Sequence, residues 1–385
     1  MFPTFNLYSI PLLLLTLQGL VFAVLLLQRY LRSKQTSDLL LLVILLITCY
    51  HQTSYTIGFL SWYDTYRNTK INYFLIDLSL LLAPLIYFYF RTITNPKRSV
   101  SKRDLLHFIP IAIVLILRAA IFIYDANQEG FEAVQNGYLF EHFLMKYFNP
   151  IGQLLSAFQM VVYLVLAFQL LYNYQERIKN FFSNTFKLEL NWLKTFLLIY
   201  SILFLYRNIE GVIDTQIIHL SWIQEWWYYL LSGIAIIYIG IRGYFTDLSE
   251  LKGIEIKNFL NAENEVPQAS PKLENLKQQL ASFFAENKPY LEQELNLVKL
   301  SQKLQLSREE VSEVINKGFG VKFNDYVNRY RIEEFKHRIA TKDHERLSLL
   351  GLAYECGFNS KATFNRAFKK VTTVSPSEYL KSISL

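Results

Sequence analysis

The chain is predicted to be all-α, a bundle of seven transmembrane helices followed by a cytoplasmic domain with two helix-turn-helix units. Three observations lead there. Charge is sparse up to Phe245, with 18 Lys and Arg against 13 Asp and Glu, and dense beyond it, with 21 against 19 in a much shorter stretch. The two parts are built for different solvents. Before the break lie seven apolar runs of roughly 20 residues, enough to cross a hydrocarbon core about 30 Å thick. After it, a stripe of apolar and small residues at Leu297, Leu300, Ser301 and Leu304 returns about 52 residues later as Leu349, Leu352, Ala353 and Cys356. The expected organisation is a membrane domain over 1–245, a linker over 246–271 and a second domain over 272–385.

The apolar runs fall near 5–28, 39–61, 71–90, 105–124, 150–173, 191–210 and 222–241. The first is expected to remain a helix rather than be cleaved, because Met1 to Ser9 holds no basic residue and no small-residue cleavage site follows. Lys and Arg collect after the odd-numbered runs: Arg29, Arg32 and Lys34; Arg91, Lys97, Arg98, Lys102 and Arg103; Arg177, Lys179 and Lys187. The intervening loops are poorer in basic residues: Asp125, Glu129, Glu132 and Glu141 face only Lys146 after the fourth run, and Glu210 and Asp214 follow the sixth. Basic loops stay in the cytoplasm, so the N-terminus is expected outside and the tail inside, in a multi-pass protein of the cell inner (cytoplasmic) membrane. Trp62, Trp192, Trp222, Trp226 and Trp227 all sit at predicted helix ends, at headgroup level.

Ionisable residues inside the spans cost free energy unless they face protein, water or a partner. They are His51, Asp77, Arg118, Arg207, Glu210 and Glu225. One reading is a polar cavity for a small-molecule or lipid-like ligand, with Arg118 or Arg207 offered to an anion. The other is mutual neutralisation, Arg207 with Glu210 three residues on, and Asp77 with Arg118 from a neighbouring helix.

Beyond the last run, LSELKGIEIKNFL has helical spacing at Leu248, Leu251, Ile254 and Leu260, weakened by Gly253, and NAENEVPQASP reads as a connection. In the tail, each copy of the repeated stripe is followed by a turn and an amphipathic helix. The first is Arg308 to Lys317 with Val311, Val314 and Ile315 inward; the second is Ser360 to Val371 with Phe364, Ala367, Phe368 and Val371 inward. Phe323 to Ile339 forms a longer helix between them, and Gly357 is expected at positive φ, ending the helix before it.

The segment from Lys288 to Leu380, with LSREEVSEVINKGFGVKFNDYVNRYRIEEFK, AYECGFNSKATFNRAFKK and the closing SPSEYL in order, resembles the DNA-binding domain of AraC/XylS-type transcription regulators. It covers about a quarter of the chain. Ser301 stands where the family usually has Ala, and Thr373 where it usually has Gly. The resemblance implies double-stranded promoter DNA as a partner. Helical geometry then turns Arg308, Glu309, Ser312, Glu313 and Asn316 outward on the first recognition helix. On the second it turns out Ala362, Asn365, Arg366 and Lys369, with Asn359, Ser360 and Lys361 at its start. Net charge over Lys288 to Leu385 is only +5, from 17 basic and 12 acidic residues, so each monomer should bind moderately and with salt sensitivity. Pairing into a homodimer in the membrane lipid would supply control.

These readings lead to a one-component regulator that senses a ligand or membrane signal through the bundle and binds DNA with its tail. The competing reading is a transporter or channel with a regulatory helix-turn-helix tail, against which stands the lack of an inverted repeat among seven runs. An enzyme is not expected, since HExxH, G-x-S-x-G and a phosphate-cradling loop are all missing. Cys49 and Cys356 have neither metal-ligand spacing nor a common compartment, so no metal, cofactor or disulfide is expected.

Overall fold

The computed structural model describes residues 2–66, 70–95, 100–185, 188–246 and 271–383. Most of the expected linker, with Leu248, Leu251, Ile254 and Leu260, lies outside the described residues, as do Lys97, Arg98 and Lys187. The described chain is all-α and divides into two compact units, Met1–Leu171 with Trp192–Ser249, and Tyr172–Asn191 with Glu250–Leu385.

Seven helical stretches among the described residues are long and apolar enough to cross a membrane: Ser9–Ser33, Thr36–Phe59, Ile71–Thr94, Lys102–Ala126, Phe140–Phe181, Asn191–Gln216 and Trp222–Phe245. They contain the helices α1 (Ser9–Ser33), α2 (Thr36–Phe59), α4 (Ile71–Phe74), α5 (Ser79–Thr94), α6 (Ile109–Ala126), α7 (Asn149–Phe181), α8 (Asn191–Gln216) and α9 (Trp222–Phe245), and short α3 (Trp62–Thr65) lies between the second and third spans. The fifth stretch starts nearer its N-terminus than hydropathy indicated, because a π-helical segment, Phe140–Phe148, leads into α7.

In the first unit α2 packs against α1, α5 and α9, and α1 packs against α9. The α1–α9 seam is close because α9 is bare there. A Cβ on Gly233 would sit 2.7 Å from Leu15, and one on Gly240 2.7 Å from Phe22. Lipid tails are as apolar as leucine, so helices in lipid gain by close van der Waals approach at small residues. Apolar side chains left exposed, such as Ile113, Ile116 and Ile123 on α6, are suited to lipid.

The third span departs from its hydropathy. The sequence reads as one run, whereas the structure breaks the helix over Leu75–Leu78. Non-helical backbone at membrane depth must find partners for its polar groups, and it finds them in the ionisable residues of the spans. Arg118 donates to the carbonyls of Asn72 (2.8 Å) and Leu75 (3.3 Å), and Tyr50 donates to Phe74 (2.9 Å). His51 Nε2 accepts from the Leu78 N–H at 3.0 Å, and Asp77 accepts from the Ser79 N–H at 2.8 Å. The expected Asp77–Arg118 pair is therefore not made, because the freed carbonyls take the guanidinium and Asp77 turns to Ser79 and His51.

The second unit carries α10 (Pro271–Asn287), α11 (Leu297–Leu304), α12 (Arg308–Glu313), α13 (Phe323–Ala340), α14 (Leu349–Glu355), α15 (Lys361–Thr372) and α16 (Pro376–Ile383). Four of these starts are fixed by a side-chain cap. Asn296, Ser348 and Ser360 accept from the backbone N–H three residues on, and Ser307 with Glu310 forms a reciprocal capping box. The two halves of the repeat have separate cores. Leu297, Leu300, Leu304, Val311, Val314 and Ile315 pack with Leu280 and Phe284 of α10 and with Phe323, Tyr326 and Val327 of α13. Leu352, Ala353, Cys356, Phe364, Ala367 and Phe368 pack with Ile332, Phe335 and Ile339 from the other end of α13. The long helix is thus shared by both.

Gly357 adopts φ +93 in the turn after α14, as its place in the motif implied. A Cβ there would lie 2.3 Å from the Tyr290 carbonyl oxygen, a backbone atom that cannot step aside. Gly357→Ala should destabilise the second unit by about 2–3 kcal/mol, seen as earlier proteolytic cleavage beyond Pro271 when the full chain is heated in detergent.

Candidate functional site

The faces of both recognition helices follow from their cores. On α15, burial of Thr363, Phe364, Ala367 and Phe368 leaves Lys361, Ala362, Asn365, Arg366, Lys369 and Lys370 exposed. Asn359 is half-buried and donates to Glu294 at 3.2 Å, and the Ser360 hydroxyl is engaged as the helix cap. On the first recognition helix Glu309 and Asn316 are exposed, while Arg308, Ser312 and Glu313 are half-buried. Asn316 donates to Ser312 at 3.1 Å, and Glu313 pairs with Lys317 at 3.2 Å. The first helix thus presents more carboxylate and α15 more cation.

Arg366 makes a contact that no sequence pattern indicated. Both of its terminal nitrogens donate to the Glu189 carboxylate, at 2.8 and 3.0 Å. Glu189 follows the fifth span, within the stretch that packs with the second unit. Nearby, Ser183 donates to the Leu295 carbonyl (2.6 Å) and Asn324 to the Ser183 carbonyl (2.6 Å), Phe182 bridges to Asn296, and Lys322 pairs with Glu176. Arg331 of α13, fully buried, ties the region together by donating to Tyr290 O (2.7 Å), Glu292 O (2.8 Å) and Ser183 Oγ (3.1 Å). Burial pulls its pKa down to about 9, still cationic at neutral pH. Burial also pushes the Cys356 thiol up to about 12, which makes it a packing group rather than a nucleophile.

In the first unit a cavity of about 780 Å³ is lined by His51, Gln52, Asp77, Arg207, Tyr228 and Tyr229 among others. Of the ionisable residues singled out in the spans, His51, Asp77 and Arg207 meet here, and His51 and Asp77 lie 3.8 Å apart. Arg118 does not line it, and Glu210, itself buried, holds Arg207 at 2.7 Å. Reasoning from charges alone missed Gln52. It is 1% exposed, and both atoms of its side-chain amide lack a hydrogen-bond partner among the described residues. Polar uncharged residues in apolar runs were the available signal. Among the described residues no three His, Cys, Asp or Glu side chains converge to hold a metal ion.

With this geometry in view, the comparisons are specific on one point. Residues 300–382, about a fifth of the chain, match the family of the helix-turn-helix domain, of the AraC type. A comparison with curated proteins gave no match, and neither did one with solved structures. The chain therefore carries an AraC-type DNA-binding domain, the mark of transcription regulation, on a polypeptide with seven candidate membrane spans.

The departure at the end of the second recognition helix has a structural consequence. Thr373 closes α15 at φ 67 and ψ −14, a left-handed conformation that a β-branched residue adopts at a cost. Thr373→Gly should raise the stability of the second unit by roughly 0.5–1 kcal/mol, after allowing for the greater chain entropy of glycine. Pulse proteolysis of the full chain across a urea series would measure it.

Proposed function

We propose that this chain is a membrane-embedded one-component transcription regulator, with a sensor over 1–245, a connection over 246–271 and a promoter-reading domain over 272–385. The observation that carries the reading is the presence of an AraC-type helix-turn-helix domain and seven membrane-length apolar helices in one polypeptide. The N-terminus lies outside the cell and the DNA-binding domain in the cytoplasm. The basic residues after odd-numbered spans support that orientation, and the hydrogen bonding of the chain after the fifth span to the C-terminal domain agrees with both lying on one side of the membrane, as two intervening spans require.

Sequence-specific contact falls to the two exposed faces. Lys361, Asn365, Arg366 and Lys369, with Asn359 and Ser360, serve the second helix, and Arg308, Glu309, Ser312 and Asn316 the first. Held on one long α13, the two helices enter successive major grooves about 34 Å apart. Two chains pairing in lipid raise the local concentration of the second reading head. The signal is a small-molecule or lipid ligand of the cavity around Gln52, His51, Asp77 and Arg207. An unmet buried amide costs about 1–3 kcal/mol, and a ligand that meets it in one bundle state only shifts the population toward that state.

The test is DNA binding by the intact chain in lipid nanodiscs. Lys361→Ala with Lys369→Ala, which leave the Arg366 contact intact, should weaken binding at least tenfold and lower the dependence of log K on log salt by about 1–2. Unchanged affinity and slope would mean that α15 does not read DNA. A cytoplasm-active reporter fused after Leu385 should likewise be active, and silence from it together with activity of an extracytoplasmic reporter would reverse the topology.

A further inference from the structure

We propose that Glu176, Asn184 and Glu189, between the fifth and sixth spans, form an autoinhibitory clamp on the second recognition helix, with the Glu189 carboxylate holding Arg366 in the place of a DNA phosphate. The inference rests on the DNA-binding reading above and adds how that reading face is kept shut.

The contact has the form of phosphate recognition. A guanidinium meets a phosphate or a carboxylate with the same two parallel N–H donors, and Arg366 uses both on Glu189, at 2.8 and 3.0 Å. The carboxylate is itself fixed in position, since Thr185 donates to Oε1 at 2.7 Å and Asn191 to Oε2 at 3.1 Å. Beside it, Asn184 comes within 3.5 Å of Thr363 in the first turn of α15, and Glu176 holds Lys322 where α13 begins. A duplex brought to this face meets a cation already neutralised at Arg366 and carboxylates that repel its backbone. The clamp and DNA exclude one another.

The contact is also reversible. The side chain of Glu189 retains 6% exposure while that of Arg366 retains 53%. Glu189 has given up nearly all its water to reach a cation that keeps half of its own, and that desolvation offsets much of the Coulomb gain. Burial raises the Glu189 carboxyl, but the hydrogen bonds from Arg366, Thr185 and Asn191 together outweigh it and leave its pKa below the ordinary glutamate value. A lowered acid pKa keeps the pair charged above the usual glutamate range, and its contribution is lost only as pH falls through the lowered value. Acidification near neutrality is therefore not the release signal.

The covalent route for release is short. Glu189 stands two residues before α8 begins at Asn191, and Glu176 lies on the last turns of α7. Displacement of either helix end reaches the clamp along the chain itself, without passing through residues 247–270. A bundle state that draws Glu189 away raises the DNA-competent fraction, and apparent affinity rises in proportion.

The experiment uses the full chain in nanodiscs and a duplex enriched from a random-sequence pool by the wild-type chain. Glu189→Gln keeps the shape and removes the charge, and should bind the duplex roughly tenfold more tightly. In a second variant, Glu176→Cys with Lys322→Cys, a half-buried pair already in contact, are joined by a short cleavable cross-linker; the native Cys49 and Cys356 are buried. The linked chain should lose at least tenfold in affinity and regain it on cleavage. Binding that is unchanged or weakened in folded Glu189→Gln, or undiminished in the linked chain, overturns the clamp. If Glu189→Gln does not fold, the linked variant decides alone. Absence of DNA binding by wild-type and variant chains alike would instead count against the DNA-binding reading.

Discussion

Cationic side chains that satisfy stray backbone carbonyls organise both units. Wherever a helix ends or breaks without water, its last carbonyls lack partners, and here a long basic residue reaches them. Arg29 donates to Gly243 at 3.0 Å and to Tyr244 while pairing with buried Asp38 at 2.6 Å, which fastens the ends of α1 and α9 to the start of α2. Lys70 donates to Phe131 and Val134, and Arg118 to the broken third span. Arg331 does the same beneath the recognition helices, with Tyr290, Glu292 and Ser183 converging on one fully buried guanidinium. Removing such a group strands several acceptors at once.

This economy shapes the proposed regulator. A reading domain with a net charge of +5 has little electrostatic affinity to spare, so occupancy of one arginine matters. Of the two recognition helices the second carries more exposed cations, and it is the one that Glu189 contacts. Sensor and reader are then joined twice, through the chain after the last span and through the chain between the fifth and sixth. A device of this kind needs only a few kcal/mol of differential ligand affinity to change DNA occupancy substantially.

Much of the architecture was legible from residue order. Hydropathy over about 20 residues marks a span whatever its neighbours, because the bilayer imposes the length, and the stripe from Leu297 to Leu304 and its return at Leu349 marks two helix pairs because helical periodicity is local. The positive φ of Gly357 and the pairing of Arg207 with Glu210 were readable for the same reason. The break over Leu75–Leu78 was not. It holds Leu75, Ile76, Asp77 and Leu78 and no Gly or Pro, and the break is tolerated only because Arg118, Tyr50 and His51 arrive from other helices. Asp77 and Arg118 were matched by charge, whereas carbonyl acceptors, invisible in a list of side chains, decided where the guanidinium went.

Sequence by itself determined where the membrane-length runs lie, which faces of α11, α12, α14 and α15 are apolar, and that lipid-length spans precede a DNA-binding domain, since each depends on residues within a few turns of one another. Only the tertiary structure decided that Glu189 meets Arg366 across 177 positions, that Ser183 joins the shell of Arg331, and that Gln52 lies buried on a cavity with its amide unmatched among the described residues. Those outcomes depend on which distant backbone and side-chain groups are brought within hydrogen-bonding reach, and no local periodicity encodes that distance.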